Sequence, residues 1–216
     1  MPVRHHWPHG WSETLAGCIL LTWSLVAAVI VRLVPSPNQL DLWGFTALPA
    51  EFHDRALLDV AELRALPVLL LGSVLAALCV VGRDRWRAAA CLLGPALAVV
   101  LVEWLAKPLV GRRYGGVLDF PSGSVTVVAS LATAWVIAVP RRLRWVMTAV
   151  GAVAVTVMSV AVIRLRWHYP TDALAAAVFG AGVVLALDGV LQVVRTGSWR
   201  PERSGIGTMG PPPTGP

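Results

Sequence analysis

The sequence predicts an all-α, polytopic membrane protein with about six transmembrane helices. Of its 216 residues, 56% are hydrophobic and only 14% are charged, whereas a soluble domain carries about 25% charged residues. Hydrocarbon offers backbone polar groups no partner, so each apolar run of about 20 residues is expected to cross the bilayer as a helix. The runs cover residues 12–34, 65–82, 88–106, 124–139, 145–163 and 173–194.

The arginines between these runs predict how the chain is oriented. With six spans, one side of the membrane receives the second and fourth loops and both termini, which carry many of the basic residues. Basic residues concentrate in cytoplasmic loops, so this side is expected to be the cytoplasm, with the protein in the plasma membrane. The net charge of +6 is explained in this way, and no nucleic-acid partner is expected. The arginines concerned are Arg83, Arg85, Arg87, Arg141, Arg142, Arg144, Arg195, Arg200 and Arg203.

The chain divides into a membrane domain and two tails. Residues 1–11 form a polar tail, whose histidines are expected to be solvated rather than to bind metal, and the Gly- and Pro-rich residues 195–216 are expected to be disordered. The membrane domain covers residues 12–194, and its longest loop, residues 35–63, is expected on the outer side. Apolar residues at helical spacing in this loop predict an amphipathic helix at the membrane surface. That helix either covers a site or only connects two spans.

Polar segments at the outer ends of the apolar runs contain the candidate functional residues. In the first, Lys107 ends the third run and Arg112 follows in a loop. A phosphate group needs several hydrogen-bond donors, and an arginine presents its donors as a planar fork. Glu103 precedes Lys107 by one helical turn, a spacing that allows an ion pair. The alternative is that these long side chains only reach the membrane interface.

The chain then enters a tight turn before the fourth run, with the sequence Phe-Pro-Ser-Gly-Ser at residues 120–124. Ser122, Gly123 and Ser124 would place backbone N–H groups at the amino terminus of a helix, which favours an anion. Glycine lets the backbone approach the anion closely, and the Ser122 hydroxyl could add a donor. The alternative is an ordinary helix cap.

The last polar segment, residues 164–172, reads Arg-Leu-Arg-Trp-His-Tyr-Pro-Thr-Asp. His168 and Asp172 are four residues apart, so they can meet across a turn that becomes a helix. The carboxylate would hold one imidazole nitrogen as N–H and leave the other free to attack. The alternative is that Asp172 only caps the sixth helix and that His168 lies at the interface.

Together these segments resemble the signature of the type 2 phosphatidic acid phosphatase superfamily, the lipid phosphate phosphatases related to vanadium haloperoxidases. That signature has three blocks: Lys, six residues and Arg-Pro; then Pro-Ser-Gly-His; then Ser-Arg, five residues, His, three residues and Asp. The resemblance covers roughly residues 65–190 and implies a six-helix, phosphatase-type bundle. It also implies a lipid phosphate or diphosphate substrate, with no metal and no cofactor.

The resemblance assigns a role to each matching residue. His168 would be the nucleophile that forms a phosphohistidine, and Asp172 would be the acid that orients it. The residues that would bind phosphate are Lys107, Arg112, Ser122 and Gly123. Arg112 matches an arginine that often stands two positions before the Arg-Pro of the first block.

Three positions depart from the signature. The strict block-one arginine falls at Tyr114 and the block-three arginine at Val162. Arg113, Arg164 and Arg166 lie nearby and could supply the missing charge by a different route. The histidine that protonates the leaving group in the family is replaced by Ser124, and a serine hydroxyl is too weak an acid for this role near neutral pH.

The departure at Ser124 leaves several functions open. The chain is expected to be a weakened hydrolase, or one that prefers diphosphates, because a phosphate is a good leaving group without an acid. His53, in the outer loop, is another histidine that could replace the missing acid. The alternatives are an inactive protein that binds lipid phosphates and a transporter, for which Asp188 within the sixth run would be the evidence. The sequence does not define the oligomeric state.

Overall fold

The computed structural model describes residues 10–197, which form a nearly all-α bundle with one short β-hairpin. A π-helical turn covers Val102–Ala106, and 3₁₀ turns cover Glu62–Arg64 and Arg141–Leu143. The hairpin pairs β1 (Arg113–Tyr114) with β2 (Val117–Leu118). The α-helices are α1 (Trp11–Leu33), α2 (Gln39–Ala47), α3 (Arg55–Ala61), α4 (Leu66–Val81), α5 (Arg85–Leu101), α6 (Lys107–Val110), α7 (Gly123–Ala138), α8 (Arg144–Arg164) and α9 (Pro170–Thr196). The expectations for residues 1–9 and 198–216 concern parts of the chain outside the described residues.

Several helices are long and apolar enough to cross a membrane, as the composition predicts. Within residues 10–197 there are four: Trp11–Leu33, Arg85–Val110, Arg141–Arg164 and Pro170–Thr196. A fifth arises if Arg55–Arg64 and Leu66–Val81, which meet at a bend of 57°, form one broken span. The fourth predicted run becomes α7, which has 16 residues and is about 24 Å long at 1.5 Å per residue, whereas the hydrocarbon core is about 30 Å thick. The number six is therefore not confirmed, although each predicted run does form a helix.

The bundle is arranged around α9, which packs against α1, α5 and α7. Small residues allow this close approach: Gly17 on α1 lies so near the backbone of Ala186 on α9 that a Cβ there would clash. Contacts of this kind are how membrane helices pack against one another. Towards the end of the bundle that carries the polar segments, α7, α8 and α9 share an apolar cluster that includes Val125, Met158 and Ala176. This cluster fixes the positions of the helix ends that carry the candidate site.

The long loop of residues 35–63 contains two helices, of which the sequence predicted one. The predicted helix corresponds to α3 and its 3₁₀ turn; it packs against α8 and leads through the bend into α4. The other helix, α2, lies over the start of α9. There, Gly44 is packed against Pro170, and the ring of Phe45 lies 5.5 Å from that of Tyr169.

Candidate functional site

The three signature segments meet at one end of the bundle. The Ser122 N–H donates to the carbonyl of Asp172 (3.2 Å), which joins the start of α7 to the start of α9. Arg112 contacts the Asp172 carboxylate (2.5 Å) and joins the loop after α6 to the same point. A Cβ on Gly123 would lie 3.6 Å from Lys107 Nζ. The structure therefore brings the first, second and third segments together around the first turns of α7 and α9.

The imidazole of His168 is buried, and its nearest acidic partner is Asp119. The Nδ1 atom of His168 lies against Asp119 Oδ1. The backbone N–H of His168 donates to the Val162 carbonyl (3.3 Å). The sequence predicted that Asp172 holds the imidazole, whereas in the structure the acid at Nδ1 is Asp119. Each of three residues, Asp172, Asp119 and His168, has an atom that could bind a metal, and these three atoms lie within 4.8 Å of one another. However, Asp172 Oδ2 accepts the N–H of Tyr169 (3.1 Å) and thereby caps α9, as the alternative interpretation proposed.

Arg112, a predicted phosphate ligand, is bound by other groups of the chain in this structure. Its guanidinium is almost fully buried and donates to Asp41 (2.7 Å), to Asp172 (2.5 Å) and to the Thr171 hydroxyl (2.9 Å). The group also lies 4.0 Å from the centre of the Tyr169 ring. Burial opposes its charge, but the bonds to the two carboxylates outweigh this and raise the pKa of Arg112. Arg112 holds the site together from within.

Asp41 is a site residue that sequence reasoning missed. It belongs to α2, and its carboxylate accepts hydrogen bonds from the Thr171 N–H (3.0 Å) and hydroxyl (2.8 Å) as well as from Arg112. Burial would raise the pKa of Asp41, but these hydrogen bonds hold it below its usual range. The sequence does contain the capping box that starts α2, Asn38 followed by Asp41. That pattern predicts a helix start but cannot reveal a partner in a distant segment.

Lys107 forms the ion pair with Glu103 that the helical spacing predicts. The ammonium lies 2.7 Å from Glu103 Oε1. The π-helical turn ends just before Lys107, and such turns are frequent at functional sites. Lys107 faces the amino terminus of α7 at Gly123, where a Cβ would clash with the Glu103 carboxylate. Glycine thus allows the Lys107–Glu103 pair to lie directly against the turn.

The start of α7 combines a cap with free backbone donors. The buried Ser122 hydroxyl accepts the N–H of Val125 at 3.5 Å, as in the ordinary-cap interpretation, so this oxygen serves the helix. Gly123 and Ser124 occupy the first turn of α7, where backbone N–H groups lack an acceptor within the helix. The buried Ser124 side chain stands where the signature has histidine. An anion beside Lys107 would face these two N–H groups.

The structure does not place Arg164 and Arg166 in the site. Arg164 lies 3.4 Å from Glu51 of the outer loop. Arg166, whose φ of 55° is unusual for a residue other than glycine, donates to the carbonyl of Phe45 (3.0 Å) and lies over its ring. Both arginines hold the outer loop against the end of α8. His53 is exposed, just before α3.

Burial controls the protonation of the central groups. Removal from water lowers the pKa of His168 to about 4, against the effect of the nearby Asp172 charge. Burial also raises the pKa of Asp119. His168 is therefore neutral near neutral pH, which is the form of imidazole that can act as a nucleophile. Its Nδ1 faces Asp119, so Nε2 is the nitrogen that remains for a reacting group.

An apolar groove of about 520 Å³ adjoins the site. It is bordered by α1, by the continuous span from α5 to α6, and by α9. Phe120 and Pro121 belong to its lining, and they stand in the chain between Asp119 and Ser122. This Phe-Pro pair therefore connects the lining of the groove to the polar site along the chain. Other lining residues include Leu25, Val29, Leu105, Ala175 and Phe179.

Comparisons of this chain with protein-family models, with curated proteins and with solved structures found no match. The site itself offers a neutral imidazole with a carboxylate at its Nδ1 atom, a lysine, and a helix amino terminus. These are groups that can bind and attack a phosphoryl group.

Proposed function

We propose that this chain is an integral-membrane hydrolase of lipid phosphates or diphosphates that acts through a phosphohistidine on His168. The observation that carries the proposal is the convergence of a buried, neutral His168, of Lys107 and of the first turn of α7 at one end of the bundle. A lysine and a helix amino terminus stabilise phosphoryl oxygens. A neutral imidazole supplies the nucleophile.

The reaction would proceed in two displacements at phosphorus. In the first, His168 Nε2 attacks the terminal phosphoryl group, an N–P bond forms, and the P–O bond to the leaving group breaks. The imidazole becomes positively charged, and Asp119 at Nδ1 stabilises that charge and holds the ring in place. In the second, water attacks phosphorus, the N–P bond breaks, and inorganic phosphate leaves. Lys107 and the N–H groups of Gly123 and Ser124 stabilise the phosphoryl oxygens in both steps.

Because Ser124 cannot protonate the leaving group, the rate depends on how readily that group departs without a proton. Loss of a general acid typically costs about 10²–10⁴-fold in rate. Asp119 does not replace the acid, because it lies at the Nδ1 side of His168, whereas an in-line displacement expels the leaving group on the side of phosphorus opposite Nε2. An alkoxide leaves poorly without a proton, but a lipid monophosphate leaves readily from a diphosphate. We therefore expect a diphosphate lipid, such as a polyprenyl diphosphate, to be preferred over a phosphomonoester.

The apolar groove supports a lipid as the substrate. Its volume of about 520 Å³ falls in the range of about 300–1,000 Å³ typical of ligand sites. A hydrocarbon chain in the groove would end beside Phe120, next to the polar groups. The full topology is part of the same proposal: six spans, both termini in the cytoplasm, and the site at the outer face of the plasma membrane.

Two other functions have a specific observation in their favour. Ser124, which stands where a general acid would be needed, suits a protein that binds lipid phosphates without turnover. Asp188, within α9, suits a transporter, because carboxylates inside membranes often mark pathways. However, Asp188 lies 3.8 Å from Arg87, and an ion pair of this kind also serves to hold α5 against α9.

Phosphate release by the purified protein in detergent tests the proposal. Wild type, His168→Ala and Ser124→His would each receive a polyprenyl diphosphate and a phosphatidic acid, with His53→Ala as the matched control. We expect release from the diphosphate that disappears in His168→Ala, persists in His53→Ala, and extends to phosphatidic acid in Ser124→His. Release only from Ser124→His would favour the binding protein. Faster release from phosphatidic acid than from the diphosphate in wild type would refute the proposed preference, and loss of proton-coupled flux in Asp188→Asn would favour transport.

A further inference from the structure

The candidate site contains more acidic than basic groups. The carboxyl groups belong to Asp41, Glu103, Asp119 and Asp172, and the cations that face them belong to Lys107 and Arg112. With these groups in their ordinary ionised forms and His168 neutral, the formal charge of the cluster is negative by two. Uncompensated charge is costly to bury, and a phosphate anion would add to the excess. A proton or a metal cation bound among these carboxyl groups would offset the excess.

The excess is concentrated at Asp119. Glu103 pairs with Lys107, and Arg112 lies between Asp41 and Asp172. Among residues 10–197, Asp119 lies within ion-pair distance of no lysine or arginine, and its only such contact is with His168. Asp119 is only 4% exposed, and its Oδ2 atom has no hydrogen-bond partner among the same residues. The same holds for Nδ1 of His168, which touches Asp119 without hydrogen-bond geometry.

The unpartnered atoms lie where a metal ion would find three ligands. Asp119, His168 and Asp172 each offer one ligand atom, these atoms lie within 4.8 Å of one another, and all three residues are buried. Carboxylate oxygens suit Mg²⁺, Ca²⁺ and Mn²⁺, whereas imidazole suits transition metals. A set of one imidazole and two carboxylates therefore favours a divalent transition metal, which would also offset the formal charge of the cluster.

We propose that Asp119, His168 and Asp172 form a binding site for one divalent transition-metal cation, with His168 coordinating through Nδ1. The ion takes the position between the three side chains. Coordination at Nδ1 leaves the proton of the neutral imidazole on Nε2. Nε2 then cannot attack phosphorus, so the metal-loaded protein forms no phosphohistidine. This last consequence rests on the proposed function, but the binding site itself does not.

Mn²⁺ binding to the purified full-length protein in detergent tests the site. The background carries His5→Ala, His6→Ala and His9→Ala, so that no histidine of the amino-terminal tail can contribute to the signal. Equilibrium dialysis is expected to show one Mn²⁺ per chain, and pulsed electron paramagnetic resonance is expected to detect ¹⁴N coupling from an imidazole. Absence of saturable binding, or a bound ion without nitrogen coupling, would overturn the proposal.

Two variants separate this site from other carboxylates. Asp119→Asn removes one ligand, and we expect it to weaken Mn²⁺ binding by more than the roughly 10–100-fold that loss of an outer-shell partner costs. Glu51→Gln removes an exposed carboxylate that pairs with Arg164 outside the cluster and should bind Mn²⁺ as the unaltered chain does. Equal affinity in Asp119→Asn and Glu51→Gln would contradict the assignment. If tryptophan fluorescence shows that Asp119→Asn fails to fold, the presence or absence of nitrogen coupling to Mn²⁺ in the protein with Asp119 intact decides whether the site exists.

Activity is measured separately so that the two proposals can fail independently. If both are right, Mn²⁺ stops phosphate release and a chelator restores it. Mn²⁺ bound with nitrogen coupling, but no hydrolysis of any lipid in metal-free protein, would support the metal site and count against the hydrolase. Hydrolysis that requires His168, without Mn²⁺ binding, would overturn the metal site alone.

Discussion

Arg112 and Asp172, which are 60 residues apart in the chain, form a buried ion pair with a distance of 2.5 Å. The same guanidinium holds Asp41 at 2.7 Å, so one side chain joins α2, the loop after α6 and the start of α9. The signature suggests that this arginine binds substrate. Its geometry instead makes it the central structural contact of the site.

Replacing Arg112 with methionine should destabilise the fold. The substitution leaves two buried carboxylates without their cation, and loss of one partner of a buried pair typically costs about 3–5 kcal/mol. The free energy of unfolding in detergent measures the effect. Arg113→Met is the matched control, since Arg113 is exposed and its side chain, among residues 10–197, donates within the hairpin to the Gly116 carbonyl. Its change should stay within about 0.5 kcal/mol, and equal effects of the two substitutions would contradict the structural role of Arg112.

Replacement of Asp119 should mainly affect catalysis, whereas replacement of Asp172 should mainly affect stability. Asp119 lies against His168, so Asp119→Asn should reduce phosphate release by at least about 10²-fold, towards the 10⁴-fold seen when a triad loses its carboxylate. Asp172 pairs with Arg112, so Asp172→Asn should mainly lower the melting temperature. Both quantities are measured for both variants. The opposite pattern, in which Asp172→Asn abolishes activity in a stable protein and Asp119→Asn has no effect, would favour Asp172 as the partner of His168.

Gly123→Ala should weaken substrate binding without unfolding the protein. The added Cβ would meet the Glu103 carboxylate and approach Lys107 Nζ to 3.6 Å, so this ion pair must move away from the start of α7. We expect KM to rise roughly tenfold, equivalent to about 1.4 kcal/mol. Gly82→Ala is the control, because a Cβ there has nothing within 4 Å. An unchanged KM in Gly123→Ala would remove Lys107 from the phosphate site.

Filling the apolar groove should affect long lipids more than short ones. Val29 lines the groove on α1, whereas its exposed neighbour Ile30 does not belong to the lining. Val29→Trp should raise KM for a long polyprenyl diphosphate and leave a short-chain diphosphate nearly unaffected. Ile30→Trp should change neither. Equal behaviour of the two variants across chain lengths would show that the groove does not hold the substrate.

The parts of the structure that the sequence predicts depend on local or compositional physics. Apolar runs become helices because hydrocarbon offers the backbone no other partner. The Lys107–Glu103 pair follows from helical spacing, and the Ser122 cap follows from residue type. The count of six spans stays a prediction, because the fourth apolar run, residues 124–139, and the helix α7 that it forms each have 16 residues, fewer than the about 20 that cross a bilayer.

The contacts that the sequence did not reveal are long-range. Asp41 lies 71 residues from Arg112, and no spacing rule connects them. Asp172 was expected to hold His168 because the two are four residues apart. However, α9 begins at Pro170, and its capping box turns the Asp172 carboxylate towards the Tyr169 N–H and Arg112. That leaves Asp119, at the end of the hairpin, as the acid against the imidazole.

Trapping of the covalent intermediate tests the central claim. The metal-free protein would be mixed with a polyprenyl diphosphate that carries ³²P in its terminal phosphate, quenched in alkali and mapped by peptide. Because a serine hydroxyl cannot activate water as an imidazole does, we expect acid-labile phosphate to accumulate on His168, to vanish in His168→Ala and to be shorter-lived in Ser124→His. Inorganic phosphate released by the wild type with label on another residue, or with no label on His168 at any time, would contradict it.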